Sequence, residues 1–469
     1  MSRTAGPRNA RRLRPAGLCA LFLTLSICPA LRADASAAAA AWARLFADAN
    51  APPAEAAINA AIAACGDDVS ALKKLIAADA AYAALSPGWH APPPSRVDDG
   101  TKHYEVRSFL RVPEAYRPDA PCPLLLVAPG QKVTGDKAAQ LMVRSLGPLA
   151  EKVLVLSATL PGPQEYSARA YQEEAFLKPL DWARRALNVD DDRVWLTGYS
   201  LGGHSTWHLA TMFPHRFAGA VAMAGVPFFE GFPRTATTYL ENLGNLRFWS
   251  IWGELDAPPP PARGQVHFNR EASARLKALG SRLYRGTEIA GADHGGCWPA
   301  PDELAAFLHA SRRSPVPPRM THCFHLPAHR RAYYLEAMQF ARPPMRLDQP
   351  IRVRVTMPGG VKPAPDAFER AARQLLERNL FRMSAELDGR ANSLSIRLDG
   401  IRTVRVYVLD GMFDLSREVA LKLNGRAWRG RVAPSARCVL GHYAADRDAT
   451  ALVLNEIDID LTARALVRY

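Results

Sequence analysis

The chain has 469 residues, 48% of them apolar, and a formal net charge of +14. That length exceeds one ordinary domain, and the apolar share excludes a disordered chain. The basic residues are scattered, mostly arginine, and lack a clustered run with interleaved aromatics, which argues against nucleic acid as a partner.

Arg3, Arg8, Arg11, Arg12 and Arg14 precede an apolar run from Leu18 to Leu31, and the small residues Ala33 and Ala35 follow. A basic segment, a short apolar segment and a small-residue site, in that order, make a secretory signal peptide. Residues 1–33 are assigned to it, and a secreted or periplasmic protein is expected. The competing reading is an anchor that stays uncleaved. Cleavage after Ala33 removes six arginines and no acids, leaving a mildly basic chain of about +8. The apolar run is too short to span a bilayer as a mature helix, and no later run approaches that length. Ile27 stands where lipidation of Cys28 would require a small residue. Cys65, Cys122, Cys297, Cys323 and Cys438 remain after the leader. An oxidising compartment permits disulfides, an odd count leaves at least one thiol free, and the spacing matches no zinc pattern.

Residues 34–95 read as a helical prefix. Ala54 to Ala64 and Val69 to Leu85 have helical periodicity, with Asp67, Asp68 and Ser70 as capping residues before the second. The prefix is expected to pack on the main domain. A proline-rich stretch from Ala91 to Ser95 closes it. From there to residue 313, short apolar strands alternate with helices. Tyr104 to Val112, Leu124 to Ala128, Val153 to Leu156, Val194 to Thr197, Ala218 to Met223 and Arg247 to Trp252 are the strands, with a helix over Ala168 to Leu187. Continuous apolar strands between helices indicate a mostly parallel sheet covered on both faces, an α/β class. Ser314 to Arg319 carries three prolines, and residues 314–340 read as a linker. Residues 341–469 read as a small, mainly antiparallel β domain with one helix, Ala367 to Asn379. Its strands show period two at Leu394, Ile396 and Leu398, at Val404, Val406 and Val408, and at Val419, Leu421 and Leu423. Asn424-Gly425 is a two-residue hairpin turn, with Trp428 and Val432 on the return.

The sharpest chemical signal is Gly198-Tyr199-Ser200-Leu201-Gly202, a G-x-S-x-G sequence directly after an apolar strand and before a helical run. That context places the serine on a strained strand-to-helix turn at the carboxyl edge of the sheet. Glycine at 198 and 202 removes side chains that would clash across the turn. A serine hydroxyl needs a base, and the chain order for this fold is nucleophile, acid, histidine. Asp256 follows the strand Phe248 to Trp252, with Glu254 as its rival. His294 follows the strand-like Tyr284 to Ile289 in a glycine-rich loop, and Asp293 beside it reads as a loop residue. His294 then accepts the Ser200 proton and Asp256 fixes the imidazole tautomer. The oxyanion needs preorganised donors. These are expected at the Leu201 N–H and in the loop after Leu124 to Ala128, at Gly130 or Gln131.

The stretch from Asp190 to Gly225, with Gly253-Glu254-Leu255-Asp256 and His294 to Trp298, resembles secreted α/β-hydrolase esterases of the polyhydroxybutyrate-depolymerase and feruloyl-esterase type, and the related catalytic domain of prolyl oligopeptidase. The resemblance covers about residues 100 to 312. It implies an α/β-hydrolase fold of about eight strands and metal-independent hydrolysis of an ester or amide through an acyl-enzyme, with no cofactor. Relatives carry His-Gly after the third strand. Here Pro129-Gly130 stands there, and proline has no N–H, so the second oxyanion donor lies later in the loop.

Tyr199, Phe228 and Phe229 are candidate pocket residues, with Phe232 nearby. Core packing of the phenylalanines is the competing reading. Leu160 to Tyr166 lies at the same edge. His204, one turn past Ser200, reads better as a surface or core histidine than as a substrate contact. His322, Cys323, His325 and His329 lack a recognised ligand spacing, so no metal is expected. Cys297 reads as a structural thiol. The first functional reading is a carboxyl-ester hydrolase, with polymeric or carbohydrate-linked esters among its candidate substrates. A prolyl-oligopeptidase-like peptidase is second, and it lacks the usual propeller here. An inactive binding protein on a hydrolase scaffold is third. Oligomeric state is not legible, and fold-level analogy does not choose the substrate.

Overall fold

The computed structural model describes residues 29–79, 81–162, 170–227, 236–258, 263–345, 355, 364, 367–462 and 467–468. Three helices come first: α1 (Pro29–Leu45), α2 (Glu55–Cys65) and α3 (Val69–Ala77). Asp68 caps α3 by accepting from the Ser70 N–H. The helix expected to reach Leu85 ends at Ala77. Beyond it the chain is held by tertiary bonds, with the Ala83 N–H donating to the Ala186 carbonyl and the Asp79 carboxylate pairing with Arg447.

A small β1 (Gly88–His90) and a hairpin of β2 (Ser95–Asp98) and β3 (His103–Val106) follow. The single strand expected over Tyr104 to Val112 is therefore divided. Its first part pairs in this hairpin, and its second, β4 (Ser108–Val112), enters the large sheet. Next come β5 (Cys122–Ala128), α4 (Gly135–Leu146), β6 (Leu154–Ala158), α5 (Ala170–Ala186), β7 (Val189–Tyr199), α6 (Leu201–Met212), β8 (Gly219–Met223), β9 (Arg247–Gly253), α7 (Gln265–Ala278), β10 (Tyr284–Ile289) and α8 (Pro301–Ala310).

These strands form one eight-stranded sheet in the order β1-β4-β6-β5-β7-β8-β9-β10. The six strands from β6 to β10 in that order are parallel, and β4 and β1 complete one edge antiparallel. The central strands are buried on both faces: every residue of β6 and of β8 is inside. Two apolar clusters lie on opposite faces, one containing Leu124, Leu126 and Trp207, the other Leu125, Val127 and Trp249. Continuous burial explains the unbroken apolar runs in the sequence. This is the α/β-hydrolase fold.

The C-terminal region contains β11 (Arg319–Phe324), β12 (Arg331–Ala332), β13 (Leu335–Phe340), α9 (Ala367–Asn379), β14 (Phe381–Asp388), β15 (Ser393–Asp399), β16 (Ile401–Leu409), β17 (Val419–Leu423), β18 (Arg426–Gly430), α10 (Ala436–Asp446), β19 (Val453–Asp460) and β20 (Val467–Arg468). Two five-stranded sheets, β11-β14-β15-β17-β18 and β12-β13-β16-β19-β20, are mainly antiparallel, with β15 and β17 parallel. They enclose one shared apolar cluster, with Phe381, Ile396 and Leu421 from one sheet and Leu335, Val406 and Ile457 from the other. Asn424 and Gly425 both have positive φ, as the two-residue turn between β17 and β18 requires.

Three expectations are corrected here. Residues 314–340 are not a bare linker: past the prolines the chain supplies β11, β12 and β13, because Met320, Cys323, Phe324 and Leu335 are buried apolar groups that a sheet accommodates. The region has a second helix, α10, capped by the Ser435 side chain accepting from the Cys438 N–H. The helical prefix packs chiefly on α10, where Leu72 and Ile76 meet Val439, and Ala41 and Ala61 meet Leu440 and Ala444.

A buried ionic network joins the two sheet systems. Arg313 donates to both carboxylate oxygens of Asp448, at 2.6 and 2.8 Å, and Arg184 reaches Asp448 at 3.2 Å while also pairing with Asp191. Among the described residues, Cys65, Cys122, Cys297, Cys323 and Cys438 are free thiols.

Candidate active site

Ser200 stands between β7 and α6 at φ 57° and ψ −119°, a backbone conformation unfavourable for a residue with a Cβ. The turn around it is closed by backbone contact. A Cβ on Gly198 would lie 2.3 Å from the Gly202 carbonyl oxygen, and one on Gly202 would lie 2.1 Å from that of Ala128. Only glycine fits at either position. The Ser200 N–H donates to the Met223 carbonyl at 2.9 Å, which ties the turn to the end of β8.

The His294 loop follows β10 and the Asp256 loop follows β9, so adjacent parallel strands deliver both side chains to the same edge. His294 Nε2 lies 2.8 Å from Ser200 Oγ, and His294 Nδ1 lies 2.9 Å from Asp256 Oδ2. The two loops are stitched by the Leu255 N–H, which donates to the Ala292 carbonyl at 2.8 Å. Glu254 does not face the imidazole. Its carboxylate accepts the Gly291 N–H at 2.8 Å and so closes the loop from outside. Asp293 accepts the Gly295 N–H and caps the short turn that carries His294.

The hydrogen bond to Asp256 raises the His294 pKa above the ordinary histidine value, more than partial burial lowers it. A second side chain reaches the same ring nitrogen: Gln265 Nε2, at the start of α7, lies 3.1 Å from Nδ1. Nδ1–H donates to Asp256, so an acceptor belongs opposite it. Exchanging the amide nitrogen and oxygen would set the carbonyl oxygen, otherwise buried without a hydrogen-bond partner among the described residues, against that proton. No motif flags Gln265; only the approach of α7 to the histidine loop brings it there.

Tyr199 lines the wall beside the serine. Its hydroxyl donates to the His294 carbonyl, and its ring stacks on Trp298 with centroids 4.9 Å apart. Leu201 is the first residue of α6, where N–H groups lack intrahelical acceptors. Gln131 sits in the turn after β5, closed by the Val133 N–H donating to the Gly130 carbonyl. A Cβ on Gly130 would lie 3.4 Å from the Tyr199 carbonyl oxygen, so this turn abuts the serine elbow. Phe228, Phe229, Phe232 and Tyr166 lie outside the described residues.

The other singled-out residues have structural surroundings. His204 is buried, its Nδ1 accepts the Val226 N–H, and burial pushes its pKa down to about 4. Burial pushes the Cys297 thiol up to about 11. His322 bonds the His329 carbonyl, and His325 bonds the Leu376 carbonyl. Glu173, His208 and His329 form the one trio among the described residues with the ligand atoms to consider for a metal. Both Nε2 atoms converge on a single Glu173 oxygen, His329 at 2.7 Å. That is hydrogen-bond spacing, closer than the roughly 3.3 Å that ligands about 2.0–2.1 Å from a tetrahedral zinc keep from one another. Burial alone would raise the Glu173 pKa, but His329 and His208 outweigh it and hold it near about 2.

Residues 104–291 match the model of the Esterase family. The match includes Ser200 and Asp256 and stops three residues short of His294. No curated protein matches the chain. Among solved structures, a thermostable esterase is 21% identical at a TM-score of 0.36, covering 47% of this chain and 63% of that one. A poly(3-hydroxybutyrate) depolymerase from Bordetella parapertussis is 17% identical at 0.36, covering 47% of this chain and 95% of that one. An acylaminoacyl peptidase is 13% identical at 0.36, covering 48% and 42%. This chain thus spans less than two thirds of the length of the thermostable esterase. The α/β-hydrolase fold of the large-sheet region rests on its strand order.

Proposed function

We propose that the protein hydrolyses carboxylic esters through an acyl-enzyme formed on Ser200. One observation carries this reading: Ser200, His294 and Asp256 stand in an unbroken hydrogen-bonded line at the carboxyl edge of the sheet. In it, His294 Nε2 takes the Ser200 proton as Oγ attacks the ester carbonyl carbon. Asp256 accepts the Nδ1–H, sets the tautomer and stabilises the imidazolium that forms. The Leu201 N–H and the Gly130–Gln131 turn are the candidate donors for the tetrahedral oxyanion. The imidazolium then protonates the leaving alcohol, and water repeats the sequence on the acyl-enzyme.

Nitrophenyl esters of graded acyl length, acetyl and feruloyl sugars, polyester films and peptide nitroanilides, assayed side by side, test the reading. Ester turnover well above amide turnover is expected. Amide cleavage with little ester turnover would establish the peptidase alternative, and no reaction with a fluorophosphonate probe would leave an inert binding scaffold. Export belongs to the same proposal, supported by the basic, then apolar, then small-residue order of residues 1–35. N-terminal sequencing of the protein recovered outside the cytoplasm should begin near Asp34.

A further inference from the structure

A cavity of about 90 Å³ lies between the helical layer of the large sheet and the C-terminal sandwich, away from Ser200. That is room for a few waters or one small oxyanion. Four guanidinium groups line it, from Arg184, Arg216, Arg313 and Arg331, against two carboxyl groups, Asp446 and Asp448. Asp448 is already engaged by Arg313, Arg184 and Thr450. Arg184 also holds Asp191, and Arg216 holds Asp181. Arg331 pairs with no carboxylate among the described residues; its guanidinium lies 4.2 Å from the centre of the Tyr407 ring.

Unspent hydrogen-bonding capacity converges on the same walls. Arg216 Nε, Arg331 Nε, the Tyr333 hydroxyl and His215 Nδ1 are all buried without a hydrogen-bond partner among the described residues. The two Nε groups can only donate, and the hydroxyl and the imidazole can donate too. Buried donors left without acceptors are costly, and four around one cavity point to an acceptor-rich guest. The local field has the matching sign. Burial first, then Arg331, Arg216, His322 and Arg313, drive the His215 pKa well below the ordinary histidine value. Burial and Asp448 push the Asp446 carboxyl upward, which reduces its repulsion of an anion.

We propose that this cavity binds a small oxyanion, the phosphate, sulfate or carboxylate group shared by many metabolites, through Arg331, Arg216, Tyr333 and His215. Charge-assisted bonds from planar guanidinium groups suit such a group. Because the walls come from both sheet systems, the bound anion cross-links them.

The test follows thermal unfolding of the full chain with inorganic phosphate, sodium sulfate or sodium acetate, against sodium chloride at matched ionic strength. Titration calorimetry is run with the oxyanion that shifts Tm most. At least one oxyanion should raise Tm beyond the chloride control and bind once per chain. Phosphate or sulfate acting alone identifies a tetrahedral guest, and acetate acting alone a carboxylate. Arg331→Gln should weaken binding about tenfold or more, and the nearly isosteric Tyr333→Phe severalfold. Should Arg331→Gln fail to fold, Tyr333→Phe carries the comparison. Ser200→Ala should bind the anion like the parent, which separates this site from the hydrolase proposal. Shifts no larger than chloride's, or binding unchanged in the folded variants, would overturn it.

Discussion

Ser200 Oγ lies 2.8 Å from His294 Nε2, although 94 positions separate the two residues in the chain. The serine carries a Cβ at φ 57°, so the turn that presents it is held against its own conformational preference. Ser200→Ala should abolish fluorophosphonate labelling and lower kcat by about four to six orders of magnitude. Ser200→Gly should be equally inactive yet more stable than Ser200→Ala by about 1 kcal/mol, since glycine relieves the positive φ. Denaturant titration of the two variants reads this difference, and persistent labelling at another serine would remove Ser200 from the mechanism.

The pH dependence follows from the Asp256 bond. Only neutral His294 can accept the serine proton, and its pKa is raised. Activity should therefore fall on acidification, with the midpoint of the acid limb of kcat/KM above about 6.5. Asp256→Asn should move that limb to lower pH and cost about four orders of magnitude in kcat. Glu254→Gln should do neither, because its carboxylate closes the loop at Gly291. A larger loss from Glu254→Gln than from Asp256→Asn would exchange their roles.

Gln265 is a positioning residue for the imidazole. Gln265→Leu should lower kcat about tenfold with little change in KM, as loss of one polar contact does. Gln265→Glu adds a second carboxylate opposite Nδ1 and should displace the acid limb upward. A residue that merely packs α7 would leave the pH profile in place.

Gly202→Ala sets a methyl against the Ala128 carbonyl oxygen. Backbone on both sides leaves little room to relax, so a loss of about 3 kcal/mol in stability is expected. Chemical denaturation reads it, and an unchanged midpoint would contradict the tight closure of the elbow.

Arg313→Met removes the two bonds to buried Asp448 and leaves a carboxylate short of a partner. A loss of about 3–5 kcal/mol is expected. Because Arg313 and Asp448 share one network, adding Asp448→Asn should cost much less than its effect alone. Strict additivity in thermal or denaturant unfolding would show that the pair does not couple.

Much of the fold was legible because its signals are short-range. The apolar runs of β5 to β9, the glycines of the elbow and the Asn424-Gly425 turn each depend on neighbours a few positions away, and α9 spans the residues its periodicity marks. The strands within 319–340 were hidden because a proline cluster precedes them and β11 and β13 enter their sheets against β14 and β16, about sixty positions on or more. Phe228 and Phe229, read as pocket residues, fall outside what the structure describes.

By itself the sequence determined that a serine stands on a strand-to-helix elbow, with an acid and a histidine later in the required order, because that signature is written in local chain geometry. Tertiary structure decided which acid meets the histidine, that Gln265 joins them, that the helical prefix rests on α10, and that guanidinium groups from two sheet systems line one cavity. Each of these depends on where loops and faces far apart in the chain come to rest, and packing sets that distance where local preference does not.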